Sequence, residues 1–174
     1  MLDGMARRML GAARLSPATF EEVEDDSGAT TQAMVVVVMV AVFTGIAIFL
    51  SGYASFFDAV IDGVFRGILN WAVWALVTLI VGTTILKGPD TDADWGELAR
   101  VTGFAQTPGL LNIFTFIYAV EIYVWAAAFL WQFAAMVVAV RQALDYTSIW
   151  RAFFVVLISF VFVLVILTPL LWGW

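Results

Sequence analysis

Apolar residues run through this chain in blocks too long for the core of a small water-soluble domain. The first block, Ala33 to Leu50 (AMVVVVMVAVFTGIAIFL), carries no charge. The second, Gly67 to Leu86, is also uncharged, and a further block, Ala152 to Trp172, is rich in Val, Leu and Phe. A helix needs about 20 mostly apolar residues to cross a bilayer. Val and Ile runs favour strands in water, but in lipid a helix satisfies its own backbone polar groups, so each block predicts a transmembrane helix. Between them, Gly103 to Val140 covers 38 residues with Glu121 as its one charge. A single helix of that length, at ~1.5 Å per residue, would far overshoot the roughly 30 Å hydrocarbon layer. Two shorter spans fit better, with a turn near Tyr118–Tyr123 that puts Glu121, Tyr118, Tyr123 and Trp125 at an interface. The pattern predicts an all-α, polytopic transmembrane helical bundle. Its five spans lie near 33–50, 67–86, 103–119, 122–140 and 152–172; residues 1–31 form an N-terminal segment and 32–174 the membrane domain.

Charge orients this arrangement. Five spans gather Arg7, Arg8, Arg14, Lys87, Arg100, Arg141 and Arg151 on one side and leave Arg66 on the other. Basic residues accumulate on the cytoplasmic side, so the N-terminus is expected in the cytoplasm and the C-terminus outside. One long middle span would move Arg141 and Arg151 across and erode that asymmetry. Composition agrees: 63% of the 174 residues are hydrophobic and 13% charged, where a soluble domain runs near one half and one quarter.

The first fifteen residues, MLDGMARRMLGAARL, lack the apolar stretch of a secretory signal. Leu2, Met5, Ala6, Met9 and Ala13 recur at helical spacing, with Arg7, Arg8 and Arg14 largely elsewhere. That pattern predicts a short amphipathic helix on the membrane surface. In the following SPATFEEVEDDSG, Ser16 is placed to cap a helix with Pro17 in its first turn, and Thr19 with Glu22 offers an alternative capping box. Glu21, Glu22, Glu24, Asp25 and Asp26 read as a solvated face.

Several chemistries are excluded by residue type. The chain has no Cys and no His, which removes disulfides, thiolate metal sites and the usual haem ligands. It carries no P-loop, dinucleotide fingerprint or nucleophile elbow. No dense basic face suits nucleic acid. No catalytic residue, cofactor or metal site is therefore expected.

The segment Leu98-Ala-Arg-Val-Thr-Gly-Phe-Ala-Gln-Thr-Pro108 resembles one in the Yip-domain family, named for Ypt/Rab-interacting proteins. In that family an Arg, a small-aromatic-small run and a Pro introduce the third span; here the matching positions are Arg100, Gly103-Phe104-Ala105 and Pro108. Val140-Arg141-Gln142-Ala143-Leu144-Asp145-Tyr146, followed by Trp150-Arg151-Ala152, is similar to the family's loop before its last span. Leu15-Ser16-Pro17-Ala18-Thr19-Phe20 is similar to its opening. The resemblance covers nearly the whole chain. It implies five spans with a cytoplasmic N-terminus. Eukaryotic members are associated with membrane traffic and small GTPases, whereas the short loops here resemble a prokaryotic relative in the cytoplasmic membrane.

Several constellations remain to be placed. Pro108 removes a backbone donor and disfavours helix at Thr107, leaving a carbonyl near Phe104 free. With Arg100 and Gln106 this marks either a structural kink or a polar pocket at a broken helix. Asp58, Asp62 and Arg66 share one helical face and read as a surface helix, or more sharply as a cation or proton entry site. Asn70 and Gln132 are amides inside spans, expected to join helices. Gly63 with Gly67 forms a GxxxG pair, and Ala135, Ala139 and Ala143 repeat at four-residue spacing; both allow close helix contact, internal or between copies. The acids of KGPDTDADWGE (Asp90, Asp92, Asp94, Glu97) fail the calcium-loop pattern and read as a solvated loop or a docking surface for a basic partner. Trp71 and Trp125 are expected at the lipid boundary, and Trp74 and Trp131 deeper.

These features favour a non-enzymatic membrane scaffold, adaptor or accessory subunit. Its partners would be membrane lipid and other membrane-protein subunits, or a second copy of itself. A small-solute or ion transporter component and a membrane-shaping protein are the alternatives.

Overall fold

The computed structural model describes residues 2–89, 91–167 and 169–170. Asp90 of the acidic loop, and Thr168 and Leu171–Trp174 of the last expected span, lie outside the described residues. The described residues are helical, with no strand among them.

The chain opens with a helical hairpin, α1 (Leu2–Ala13) and α2 (Pro17–Asp25). Leu15 turns the chain with φ 59°; Ser16 stands at the N-cap position of α2 with Pro17 in the first turn, but its side chain makes no capping hydrogen bond. The long helix α3 (Ala29–Leu50) follows. After the turn at residues 51–55, a π-helical start (Phe57–Asp62) runs into α4 (Gly63–Ile80) and a π-helical end (Val81–Ile85). Helix α5 (Trp95–Ala105) is capped by Asp94, whose carboxylate accepts from Glu97 N at 2.9 Å while Glu97 Oε2 accepts from Asp94 N at 2.8 Å. These two loop acids, read as solvated in the sequence, therefore start a helix.

The expected break lies at Gln106–Pro108. α5 stops at Ala105, and the chain continues as a 3-10 helix, Thr107–Phe116. Ten residues of 3-10 helix are unusual, since runs beyond three or four are uncommon. A turn at residues 117–120, without Gly or Pro, leads to α6 (Glu121–Ala143). After residues 144–148, α7 (Ile149–Phe162) ends in a π-helical stretch (Val163–Leu167).

Four helical stretches among the described residues are long and apolar enough to cross a membrane: Ala29–Leu50, Phe57–Ile85, Glu121–Ala143 and Ile149–Leu167. The expected third span, 103–119, is not one helix; it comprises the end of α5, the 3-10 run and the turn. The 3-10 run packs between α3 and α6.

The two ends of the bundle differ. The α1–α2 hairpin, the loop after Ile85 and the turn before α7 meet at one end, called here the N-terminal end. The buried core lies there too, joining Phe20 and Val23 of α2, Val36 of α3, Leu98 and Phe104 of α5, Ala135 and Ala139 of α6 and Val155 of α7. The turns at 51–55 and 117–120 lie at the opposite end, where open clefts replace the core.

Candidate functional site

The N-terminal end is held together by polar contacts between segments far apart in sequence. Arg8 is nearly buried, 9% exposed. It donates to Glu22 (3.0 Å), Asp26 (2.6 Å) and Gln32 (3.2 Å), and Arg7 adds a two-pronged contact to Glu22 at 2.6 and 2.8 Å. The guanidiniums of the expected surface helix thus face Glu22 and Asp26 across the hairpin. Chiefly through the hydrogen bond from Arg7, Glu22 is held down to about 2. Arg100 donates through Nε (3.0 Å) and Nη2 to the main-chain carbonyl of Glu24. Arg141 donates to the carbonyl of Tyr146 at 3.1 Å. The Tyr146 hydroxyl, within hydrogen-bond distance of both, is shared by the carbonyls of Gly82 (2.7 Å) and Leu86 (2.9 Å), where the π-helical end of α4 leaves acceptors open. Thr91 closes the loop by donating to Leu144 O at 3.0 Å and accepting from Gly88 N.

This clamping gathers carboxylates. Burial, then the charges of Asp145, Glu97 and Asp25, push Glu24 up to about 7 against the opposing pull of Arg100. Three elements (α2, α5 and the turn before α7) therefore present one acidic surface.

A second cluster lies mid-bundle. Gln132 Nε2 donates to Gln106 Oε1 at 2.7 Å and to the Gln106 carbonyl at 3.3 Å. Gly109 stands against both Gln132 and Val40, and a Cβ there would strike the Gln132 amide. The carbonyl of Phe104, expected free, accepts from the Thr107 hydroxyl at 2.7 Å. The local side chain supplies the bond that Pro108 cannot. Pro108 itself is buried.

Two clefts meet at these amides. One, about 360 Å³, is walled by Trp71, Trp74, Phe129 and Phe160 and has Asn70, Gln106 and Gln132 at its polar end. The other, about 320 Å³, shares those three amides and extends along α3 to Arg66 and Asn112. Asn112 donates to Thr44 at 3.4 Å, and its Oδ1 is buried without a hydrogen-bond partner.

Other expected sites fall out as packing. Gly67 faces α3, where a Cβ would meet Ala41 at 3.0 Å, but Gly63 faces open space and makes no such contact. Ala135, Ala139 and Ala143 are fully buried, so their stripe serves contact inside the chain. Arg66 pairs with Asp62 at 2.6 Å, and Asp58 accepts from Ser55 at 2.6 Å. Trp71, expected at the lipid boundary, is buried at 4% exposure and donates to Thr102 at 3.2 Å. Trp125 is exposed and stacks on Phe129.

Sequence reasoning missed Tyr146, Thr91 and Gly109, whose roles depend on partners distant in the chain. Tyr146 lay inside a segment that carried the family resemblance, which was its one available signal.

No curated protein and no solved structure matches this chain. The Yip1 domain profile matches residues 13–169. With that match over most of its length, and with four helices apolar enough to cross a bilayer, the chain belongs to the Yip1 domain family of multi-pass membrane proteins.

Proposed function

We propose that this protein is a non-enzymatic membrane adaptor or accessory subunit that works by holding neighbours in place. The observation that carries the reading is the acidic surface around Glu24, built from three clamped elements. Such a surface suits a basic segment of a partner, since complementary charge steers and orients association. The apolar helix flanks would meet lipid, other membrane subunits or a second copy. Nucleic acid is not a partner in this reading. General acid–base catalysis needs a positioned group titrating near working pH; Glu24 titrates near 7 but lies on the acidic surface, and it does not line the two clefts that meet at Gln106 and Gln132.

The reading includes five crossings, the third made by the 3-10 run and the end of α5, with the acidic surface in the cytoplasm of a prokaryotic cell. At ~2.0 Å per residue the ten-residue run covers about 20 Å. Basic-residue asymmetry supports this orientation.

A transporter is the second reading, favoured by the two clefts that meet at Gln106 and Gln132. Reconstitution of the purified chain alone in liposomes separates the two. The adaptor reading expects no saturable flux, and expects a stoichiometric membrane partner to be lost on reversing Asp25 and Asp145 to Lys. Saturable solute or ion flux, abolished by Gln106→Leu or Gln132→Leu, would overturn it.

A further inference from the structure

Helix α6 changes character at its midpoint. In its first half Ile122, Tyr123, Trp125, Leu130 and Trp131 are exposed; from Gln132 to Ala143 no residue is. The hairpin covers much of that second half. Ala12, Phe20 and Val23 are fully buried in the cluster that holds Ala135 and Ala139. Trp131 sets how far the hairpin reaches, because its indole N–H donates to the carbonyl of Ala13 at 2.7 Å. α1 also touches the 3-10 segment, beyond the end of α5.

These contacts fix a depth. At ~1.5 Å per residue Trp131 stands about 15 Å from Glu121 and about 18 Å from Ala143. The first half of α6 is too short for a hydrocarbon layer of roughly 30 Å. Crossing by α6 therefore requires its second half, and the hairpin against it, to lie within that layer. The polarity of the hairpin follows the same gradient. Its ion pairs, Arg7 and Arg8 with Glu22 and Asp26, sit towards the open end. Leu10, Pro17 and Ala18 are exposed nearer the tip, beside Arg14 and Glu21. Arg14 has a stem long enough to carry its charge back towards headgroups.

We propose that α1–α2 is a half-depth wedge, a helical hairpin lodged among the acyl chains of the leaflet on the N-terminal side. This rests on the crossing reading above, because it needs α6 to span. The wedge adds two helices to one leaflet and none to the other, so the bundle is broader on that side. A surface helix would sink about 5–10 Å into the boundary region; this tip lies deeper, at mid-bilayer.

The test is depth measurement on the full chain in phosphatidylcholine–phosphatidylglycerol vesicles. With no native Cys, single nitroxide labels go on Leu10→Cys, Ala18→Cys, Asp25→Cys and Leu130→Cys. Oxygen enriches in hydrocarbon and a hydrated nickel chelate is excluded, so the oxygen-to-nickel ratio at positions 10 and 18 should match position 130 and exceed position 25 roughly tenfold. Labels at 10 and 18 as nickel-accessible as 25, with 130 deep, would overturn the wedge alone. A nickel-accessible label at 130 would overturn the crossing by α6 as well. Positions 10 and 18 lie on different helices, so disturbance of one helix leaves the other reading intact, and Ser16→Cys replaces either if its gel-filtration profile shifts.

Discussion

Arg100 reaches the main-chain carbonyl of Glu24, 76 residues earlier, through both Nε and Nη2. Glu24 is the penultimate residue of α2, so its carbonyl is one of those a helix end leaves without an intrahelical partner, and a cation there also opposes the helix dipole. Arg100→Ala should cost about 2 kcal/mol, as expected for hydrogen bonds from a charged donor, with partial recovery in Arg100→Lys. Unfolding in mild detergent reads the loss. Limited trypsin digestion reads its location, since release of the hairpin should speed cleavage at Arg14; an unchanged cleavage rate would show that Arg100 does not clamp α2.

Pro108 and Gly109 are adjacent but should respond differently. Pro108→Ala is expected to change stability by less than about 1 kcal/mol, because Thr107 already satisfies the Phe104 carbonyl. Gly109→Ala should cost about 1–3 kcal/mol, since the added Cβ meets the Gln132 amide and Val40. Equal effects of the two substitutions in the same unfolding assay would contradict the geometry.

Gln106 and Gln132 form one amide pair. Changing each to Leu, singly and together, should give a coupling of about 0.6 kcal/mol, typical of polar side chains between membrane helices. A coupling near zero would mean that the pair does not join α6 to the break.

Glu24 should make stability fall as pH rises. Its pKa of about 7 in the folded chain exceeds the ordinary carboxyl value of 4.5. The folded state thus binds the extra proton between those values, and the contribution is complete below about 4.5 and lost as pH rises through about 7. Glu24→Gln should flatten this dependence and raise the unfolding midpoint at pH 8 relative to the parent. A parent whose midpoint stays level from pH 5 to 8 would refute the assignment.

Topology can be mapped with the same Cys-free chain. Single Cys residues at Asp92 and Asp145 should react with an impermeant maleimide from one side, and Cys at Ser51 and Tyr118 from the other. Labelling of positions 92 and 145 from opposite sides would defeat five crossings.

Much of the architecture was readable because it depends on local properties. The uncharged blocks at Ala33–Leu50 and Gly67–Leu86, and the basic residues between blocks, are properties of short windows. The break at Pro108 was equally local, since a missing N–H acts on its own helix. Glu121 at the start of α6 followed from the cost of placing a carboxylate in lipid.

Apolar patterning could not tell which residues face the interior. Lipid tails are as apolar as a protein core, so buried Trp71 and exposed Trp125 carry the same hydropathy signal. Gly63 and Gly67 likewise share one motif, yet Gly67 alone packs against α3. The sequence by itself determined that the chain forms apolar helices, where the third one breaks, and which segments carry charge. The tertiary structure decided that Arg7 and Arg8 bind α2 instead of turning outward, that Arg100 reaches the Glu24 carbonyl, and that Ala13 meets Trp131. Each of these depends on a partner brought near by packing, and no local window contains both halves of such a contact.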